Sequence, residues 1–310
     1  KKIYEYWMSN PIDWNISRQI VWGIPIPAWF KNKGTPEEES TVSKECPGDG
    51  WTQDADTFDT WFSSGQWPVA TLGFTEGEDF KKFYPTQLME TGRDLIFKWV
   101  PRMVIFGLYL TDKVPFRDIY LHGMVLDPKG QKMSKSKGNV LSPIEVADTY
   151  GMDALRMALL VGNAPGNDIP LSEEKIKAYK KFVNKLWNIA RFVFENTTES
   201  HGTMEVDAVE AKLLESKKEI EKYIDSYQIH MAAETLYHYV WHHFADVALE
   251  DVKKVLNDET VDESTKEEKR VFLRKTFEQV LQLAHPFIPF VTEQIWADMG
   301  KKELLMVEEW

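Results

Sequence analysis

The sequence of 310 residues is nearly free of cysteine, and Cys46 is its single thiol. One cysteine excludes a disulfide within the chain and any zinc site built from several cysteines, so we expect no zinc. Uninterrupted apolar runs of about 18 residues, the length of a membrane span, are also missing, because the most apolar stretch contains Pro101 and Arg102. The charged and aromatic residues 1–10 do not have the pattern of a signal peptide. These absences predict a cytoplasmic protein with no membrane partner.

Positive charge is scarce as well, since 37 Lys and Arg residues face 49 Asp and Glu residues and the net charge is −12. This balance excludes a protein that coats nucleic acid non-specifically, but not an enzyme that touches it through a local basic strip. Tryptophan, in contrast, is abundant, with 12 residues. Such dense aromatic side chains either fill a core or line a pocket, and composition alone leaves both open.

The hydropathy pattern predicts an α/β region followed by an all-α region, with domains at 1–165 and 166–310. In the first region we expect a helix at 2–8, extended chain at 19–30, a polar loop or small insertion at 33–56, a helix at 94–110 and a strand at 118–121. In the second region, amphipathic segments fall near 173–195, 206–223, 227–255 and 266–284, and a further helix at 292–299. This order of long helices predicts an antiparallel helical bundle.

The strongest chemical signal is the run Lys132-Met133-Ser134-Lys135-Ser136, which continues as Lys137-Gly138-Asn139. Lysines are compact, mobile charges that suit a triphosphate, and the flanking glycines let the loop change shape. After the loop, Ser142 has the pattern of a helix N-cap, followed by Pro143 and by Glu145 as the partner of a capping box. The order of strand, basic loop and capped helix favours nucleotide binding over an ordinary surface loop.

The five-residue motif resembles the signature of class I aminoacyl-tRNA synthetases. Segments 13–19, 22–23 and 25–27 are similar to the part that follows the editing insert in the valine, isoleucine and leucine branch, and 284–293 resembles the anticodon-binding bundle of that branch. The resemblance implies the second half of a Rossmann-like class I nucleotide-binding domain, followed by an antiparallel helical anticodon-binding bundle.

Segments 59–68, 91–99 and 236–242, together with Lys137, resemble the valyl members, whereas 23–27 leaves an isoleucyl enzyme as an alternative. The resemblance implies a monomer that activates valine with ATP and Mg²⁺ to valyl-adenylate and transfers it to tRNA(Val). The second class I signature, His-Ile-Gly-His, and the editing insert are absent from the sequence. We therefore expect a fragment that is inactive alone, and a non-catalytic module that binds tRNA or a nucleotide is a further alternative.

The resemblance also implies roles for individual residues. Lys132 and Lys135 would stabilise the charge on the β- and γ-phosphates as pyrophosphate leaves. Gly92 and Asp94 would meet the ribose of the adenylate, and the alternative for Asp94 is an N-cap of the following helix. The remaining predicted ATP-binding residues are His122, Gly123, Met124, Met133, Ser134 and Ser136. For the two serines, stabilisation of the turn is an equal alternative.

Two further groups complete the predicted site. Trp61 and Trp99 would line the amino-acid pocket, and their alternative role is packing in the core. Lys177, Lys181 and Lys185 lie four apart on one helix face and would contact the tRNA backbone, unless they form an ordinary solvated face. His238 and His242 have no accompanying third ligand in the sequence pattern, so we predict packing or surface roles and no metal.

Overall fold

The computed structural model describes residues 2–197 and 208–309. The chain divides into two compact units, Lys1–His122 and Gly123–Trp310. No helix within the described residues is long and apolar enough to cross a membrane.

The first unit mixes helices and strands. Its helices are Lys2–Ser9 (α1), Thr60–Ser64 (α2), Trp67–Ala70 (α3), Glu78–Phe83 (α4) and Trp99–Thr111 (α5). Its strands are Ser17–Arg18 (β1), Ala28–Lys31 (β2), Glu39–Val42 (β3), Thr52–Gln53 (β4), Thr57–Phe58 (β5), Thr86–Gly92 (β6) and Phe116–His122 (β7).

The α/β part of this unit is a crossover between two parallel strands. Strands β6 and β7 pair in parallel, and the register places Gly92 opposite His122 at their carboxyl ends. Between them, α5 buries Val100 and Met103 against Met89 and Phe116. A parallel pair needs such a long connection, and the apolar face of α5 supplies its cover.

Two predicted elements of the first unit differ in the structure. The helix expected from residue 94 begins at Trp99, because i→i+3 hydrogen bonds wind the chain into a 3₁₀ turn at Arg93–Leu95 instead. The segment 33–56, predicted as a loop or small insertion, contains two strands. Strand β2 is the centre of an antiparallel sheet of order β3-β2-β4, and its aromatic pair Trp29 and Phe30 faces polar residues of the two edge strands.

The second unit is mainly helical. Its helices are Pro143–Tyr150 (α6), Met152–Leu160 (α7), Glu173–Asn196 (α8), Ala208–Asp225 (α9), Ile229–His238 (α10), Leu249–Asn257 (α11), Glu263–Ala284 (α12) and Pro289–Asp298 (α13). Short strands Val125–Leu126 (β8) and Ile169–Pro170 (β9) pair in parallel. A π-helical segment, Tyr239–Ala248, joins α10 to α11.

The four long amphipathic segments form the predicted bundle. Helix α8 buries Phe182, Leu186 and Val193 in the main core. The last long helix starts earlier than predicted, at Glu263, because Asp262 caps it by accepting the Thr265 backbone N–H at 3.0 Å. The predicted start of the second segment, at 206, lies outside the described residues.

Helix α7 belongs to the bundle core, although it precedes the domain boundary predicted at 165/166. Its Met157, together with Val161, packs in the same apolar cluster as Phe182 of α8. The division between the compact units falls at 122/123, and the domain boundary at 165/166 stays a prediction.

Candidate functional site

The lysine-rich loop lies between the short strand β8 and helix α6, whereas the strand predicted before the loop, 118–121, is β7. Lys132 is exposed and its backbone forms an antiparallel bridge with Leu126. The backbone of Lys135–Lys137 forms a 3₁₀ turn, and the side chain of Lys135 lies outside the described part of the structure. The next helix begins at Pro143, and Ser142 caps it by accepting the Glu145 N–H, as predicted. The loop thus presents lysine residues from a turn with fixed ends.

The other loop residues of the predicted site have contacts within the loop. Met133 is half-buried and packs against an apolar cluster that includes Val146 and Leu155. The hydroxyls of Ser134 and Ser136 lie 3.3 Å apart. Their hydrogen bond favours the turn-stabilising role that the sequence left open, and it leaves one of the two hydroxyl protons able to donate to a further acceptor.

Gly123 and Met124 occupy a tight crossing of the backbone. A Cβ atom on Gly123 would lie 1.6 Å from the carbonyl oxygen of Asn167, so only glycine fits there. The Met124 N–H donates to the Asp168 carboxylate at 3.0 Å, and the Met124 carbonyl accepts the Ile169 N–H at 2.8 Å. These contacts give both residues a structural role, and their predicted approach to the nucleotide stays a prediction.

Gly92, Asp94 and His122 lie together at the carboxyl ends of β6 and β7. A Cβ atom on Gly92 would lie 2.9 Å from Asp94 Oδ1 and 3.6 Å from His122 Nε2. His122 Nδ1 contacts the Glu90 carboxylate, and the imidazole is about half exposed. The carboxyl ends of parallel strands are where ligands bind in open α/β sheets. The three residues therefore form an open polar edge, which we call the ribose edge after the role that the sequence resemblance predicts for it.

The N-cap alternative for Asp94 is wrong. The cap of α5 is Lys98, which makes no side-chain capping bond, and Asp94 lies within the preceding 3₁₀ turn. Its exposed carboxylate is consequently not used by a helix terminus.

Trp61 and Trp99 lie on two helices that contact each other. The Trp99 indole N–H donates to the Ser64 carbonyl at 2.9 Å, which ties the start of α5 to the end of α2. The Trp99 ring meets Trp67 edge to face, with centroids 6.4 Å apart. Both Trp61 and Trp99 are half-buried, and their role in an amino-acid pocket stays a prediction.

A buried carboxylate that the sequence analysis did not single out organises this region. Asp59, 6% exposed, caps α2 at the Trp61 N–H. It also accepts the Trp14 indole N–H at 2.8 Å and pairs with Arg18 at 2.6 Å. The cluster thus links β1, which contains Arg18, to α2, which contains Trp61. Its signal in the sequence was the Asp-Thr-Trp cap pattern, since aspartate before a short apolar helix is a preferred N-cap.

The lysine row on α8 is less available than the sequence predicts. Lys177 pairs with Glu173 at 3.5 Å, and Lys185 pairs with Asp246 at 2.8 Å while its ammonium lies 4.1 Å from the centroid of the Trp241 ring. The assumption that all three lysines are free for a ligand is therefore wrong. Lys181 makes no ion pair within the described residues and lines a groove of about 380 Å³ on this face.

Potential metal ligands do not gather in the described residues. No group of three or more His, Cys, Asp or Glu side chains there could hold a metal ion. Cys46 is exposed, and its thiol lies 3.4 Å from the carbonyl of Gly48. His238 and His242 stack with centroids 5.7 Å apart, which agrees with a packing role.

Family comparisons cover almost all of this structure. The model of tRNA synthetases class I (I, L, M and V) matches residues 1–47 and 37–172. The model of the anticodon-binding domain of tRNA ligase matches residues 208–310. The lysine loop and the ribose edge fall within the first match, and most of the helical bundle falls within the second.

Curated relatives of high similarity share one description, valine--tRNA ligase. The protein of Pelagibacter ubique is 42% identical over 330 residues, covering 100% of this chain and 38% of that protein. The protein of Lactobacillus johnsonii is 43% identical, covering 95% of this chain and 35% of its own length. The chain thus spans about a third of the length of the curated relatives it matches.

Solved structures agree in fold. Agrobacterium radiobacter LeuRS, in a ternary complex with tRNA and LeuAMS, superposes with a TM-score of 0.76 at 19% identity, covering 96% of this chain and 42% of that one. Methionyl-tRNA synthetase of Mycobacterium tuberculosis, bound by methionyl-adenylate, gives a TM-score of 0.74 at 20% identity, covering 97% of this chain and 57% of that one. The two family models, together with the similarity to the curated relatives along nearly the whole of this chain, show its family. The chain belongs to the class I tRNA synthetases of the isoleucine, leucine, methionine and valine group.

Proposed function

We propose that this chain is the part of a valine--tRNA ligase that carries the lysine loop, the ribose edge and the anticodon-binding bundle. The observation that supports this most is the similarity of 41–43% identity along nearly the whole chain to proteins described as valine--tRNA ligases. The reaction joins valine to ATP as valyl-adenylate, releases pyrophosphate, and transfers the valyl group to tRNA(Val). We assign this activity to the whole protein, which would act as a monomer in the cytoplasm.

The lysine loop supplies charge in this proposal. As the valine carboxylate attacks the α-phosphorus of MgATP, the bond to the bridging oxygen breaks and negative charge moves onto pyrophosphate. The ammonium groups of Lys132 and Lys135 stabilise that charge, which is larger in the transition state than in bound ATP. Phosphate chemistry of this kind requires positioned cations and little covalent participation by the protein.

The ribose edge binds the sugar. The Asp94 carboxylate, exposed and not used as a helix cap, accepts hydrogen bonds from the ribose hydroxyls. Gly92 has no side chain to separate the backbone from the sugar, and the His122 ring borders the same edge. The arrangement at the ends of two parallel strands supports this assignment.

The amino-acid pocket is formed by residues of helices α2 and α5. Trp61 and Trp99 provide apolar walls whose size admits valine and excludes isoleucine by steric overlap. Such a pocket rejects threonine weakly, because threonine has nearly the same shape as valine.

Pyrophosphate exchange into ATP tests the proposal in the protein that carries this chain. We expect exchange that depends on valine, with kcat/KM at least about tenfold lower for isoleucine. Lys132→Ala is expected to lower kcat by about 10²–10³ with little change in the KM for valine. Lys113→Ala is the matched control and should leave the rate unchanged, because Lys113 is an exposed lysine of the first compact unit and lies outside the loop.

The alternatives give different results in the same assay. Preferential exchange with isoleucine would identify an isoleucyl enzyme, for which residues 23–27 are the sequence evidence. Binding of tRNA with no exchange for any amino acid would instead identify a non-catalytic binding module.

A further inference from the structure

Asp127 and Asn139 are not among the residues to which the proposed reaction assigns a role, yet they hold the two ends of the lysine loop together. Asn139 Nδ2 donates to Asp127 Oδ2 at 2.9 Å, across 12 positions of sequence. We propose that Asp127 and Asn139 are positioning residues that lock the neck of the loop and present Lys132 and the following turn in one orientation. The loop neck is defined here as Asp127, Lys132, Ser134 and Asn139.

Asp127 is a carboxylate whose oxygens are occupied by uncharged donors. It is 8% exposed, and its Oδ1 accepts the backbone N–H groups of Lys129 at 3.0 Å and Gln131 at 2.8 Å. The Asn139 amide is the largest cause that holds the pKa of Asp127 below its ordinary value, followed by the Gln131 N–H. A charged carboxylate in a phosphate-binding loop would compete for the lysine ammonium groups, but here three amide donors satisfy it.

Asn139 connects three parts of the neck through one side chain. Besides its bond to Asp127, its Oδ1 accepts the Ser134 N–H at 2.9 Å, and its Nδ2 lies 3.4 Å from the Lys132 carbonyl. A carboxamide donates to a carboxylate through its NH₂ group and accepts from a backbone N–H through its oxygen, and it adds no charge. The chain reverses just before it at Gly138, whose φ of +66° favours glycine.

The neck is held from the protein side as well. Met133, between the two contacted backbone positions, packs against the apolar cluster that includes Val146 and Leu155. The turn beyond it is closed by a backbone bond from the Lys137 N–H to the Ser134 carbonyl at 3.1 Å. Any change of shape that a triphosphate causes is therefore confined to the turn around Lys135–Lys137, while the backbone of Lys132 stays fixed.

This inference deepens the proposed function, and only its kinetic part rests on that function. The first experiment measures amide hydrogen exchange across residues 127–139 in the full-length protein that carries this chain. We expect Asn139→Ala to speed exchange of the Ser134 amide by about five- to tenfold, because the loss of one such bond corresponds to roughly 1–1.4 kcal/mol. Asn163→Ala is the matched control, because it too removes an asparagine side chain that hydrogen-bonds to the backbone. The Asn163 side chain donates to the carbonyls of Ala158 and Leu159, outside the loop.

The second experiment measures pyrophosphate exchange. If the neck positions the lysines, Asn139→Ala and Asp127→Asn each lower kcat/KM for ATP by about tenfold or more and leave the KM for valine within about twofold. The exchanged pair, Asp127→Asn with Asn139→Asp, restores a donor opposite an acceptor and keeps an acceptor for the Ser134 N–H. It loses only the longer contact of 3.4 Å to the Lys132 carbonyl, so it should recover most of the loss. Recovery by this double variant would show coupling between the two side chains that independent structural defects do not produce.

The outcomes separate the two proposals. Unchanged exchange of the loop amides in Asn139→Ala, or equal losses for ATP and valine, would overturn the positioning role. Failure of the exchanged pair to recover activity, with a folded protein by circular dichroism, would also overturn it. If the loop amides respond as expected but the unmodified protein shows no exchange with any amino acid, the neck is supported and the proposed function fails.

Discussion

The ammonium of Lys185 lies 2.8 Å from the carboxylate of Asp246, in an ion pair that crosses from α8 to the π-helical segment. The same ammonium faces the Trp241 ring at 4.1 Å, so it contacts both a carboxylate and an aromatic face. The Lys185 hydrogen bond is also the largest cause that holds the pKa of Asp246 below its ordinary value. Lys185 thus has a structural role that must be separated from any contact with tRNA.

Because Lys185 is paired with Asp246, a variant at Lys185 would not separate tRNA binding from stability. Lys181→Glu is the cleaner change, because Lys181 lines the groove and forms no ion pair within the described residues. We expect it to weaken tRNA(Val) binding and to reduce the salt dependence by about one counterion, with valyl-adenylate formation intact. Filter binding at several salt concentrations measures both quantities.

Lys218→Glu makes the same charge change on an exposed position of α9 and serves as the comparison. Equal affinity and salt slope for the Lys181 variant and the unmodified protein would assign the α8 row to a solvated surface. By contrast, we expect Lys185→Glu to reduce stability, because it places two carboxylates together where an ion pair stood.

The space above Gly92 gives a second prediction. Gly92→Ala adds a methyl group 2.9 Å from Asp94 Oδ1, so the carboxylate must move from the ribose edge. The backbone itself is not strained, since the φ of Gly92 is −63°. We therefore expect a folded variant whose KM for ATP rises by about tenfold, with a smaller effect on the KM for valine.

The comparison variant is Thr91→Ser, which keeps the neighbouring backbone and removes only a methyl group. Gly162→Ala is less suitable, because the φ of Gly162 is +76°. Unchanged kinetics for ATP in Gly92→Ala would mean that Asp94 does not bind the ribose where we propose.

The structure shows why some features could be predicted from sequence and others not. The lysine loop, its capped helix and the bundle follow from local patterns, since Ser142 caps its own helix and α8 repeats apolar residues on one face. The predicted helix from residue 94 was wrong because apolar periodicity continues through a 3₁₀ turn, and periodicity does not report the tighter hydrogen bonding there.

Long-range polar contacts were beyond the reach of local patterns. Asp59 meets Trp14 across 45 positions, and Asp246 meets Lys185 across 61. The free lysines predicted on α8 were therefore only partly free, because the partner of Lys185 comes from another helix. Asn139 and Asp127 lie within one loop, but their bond depends on the turn at Gly130 and the reversal at Gly138.

The Asp59 cluster predicts a stability effect in the first unit. Asp59→Ala removes the N-cap of α2, leaves the Trp14 indole N–H without its acceptor and removes the carboxylate partner of Arg18, which keeps the Asn15 and Ser17 carbonyls as acceptors. We expect the local free energy of unfolding to fall by about 2–5 kcal/mol, the sum of a lost cap and a lost charged hydrogen bond. Hydrogen exchange of peptides from α2 measures this loss without requiring the whole chain to unfold together.

Asp59→Asn retains an oxygen that can cap α2, so its effect should be smaller than that of Asp59→Ala. A result in which both variants match the unmodified protein would show that the cluster is not needed for stability. The rank of the two variants distinguishes the role of the charge from the role of the cap.

We expect the stability of the α12–α13 region to depend on pH through His285, which precedes helix α13. Burial is the largest cause that lowers the pKa of His285 below the ordinary 6.5, and the nearby carboxylates of Glu293 and Asp153 oppose it. Its Nδ1 lies 2.9 Å from the Thr292 hydroxyl, so the neutral ring is held in a hydrogen bond. A lowered pKa means that the unfolded chain binds the proton more readily than the folded one. The stability due to neutral His285 is therefore present above pH 6.5 and is lost as the pH falls through the folded pKa.

We expect the free energy of unfolding of the α12–α13 region to decrease between pH 7.5 and 5.5, with a slope of at most about 1.4 kcal/mol per pH unit from this group. Hydrogen exchange of peptides from α13, at matched chemical exchange rates, measures the change. His285→Gln removes the titration and retains a polar side chain, so the difference between the two proteins should itself vary with pH in this window. Asp153 acts in the opposite direction at lower pH, because burial raises its pKa and its ionisation costs stability as the pH rises. A pH-independent difference between the histidine and glutamine proteins would show that burial of the neutral ring does not control stability here.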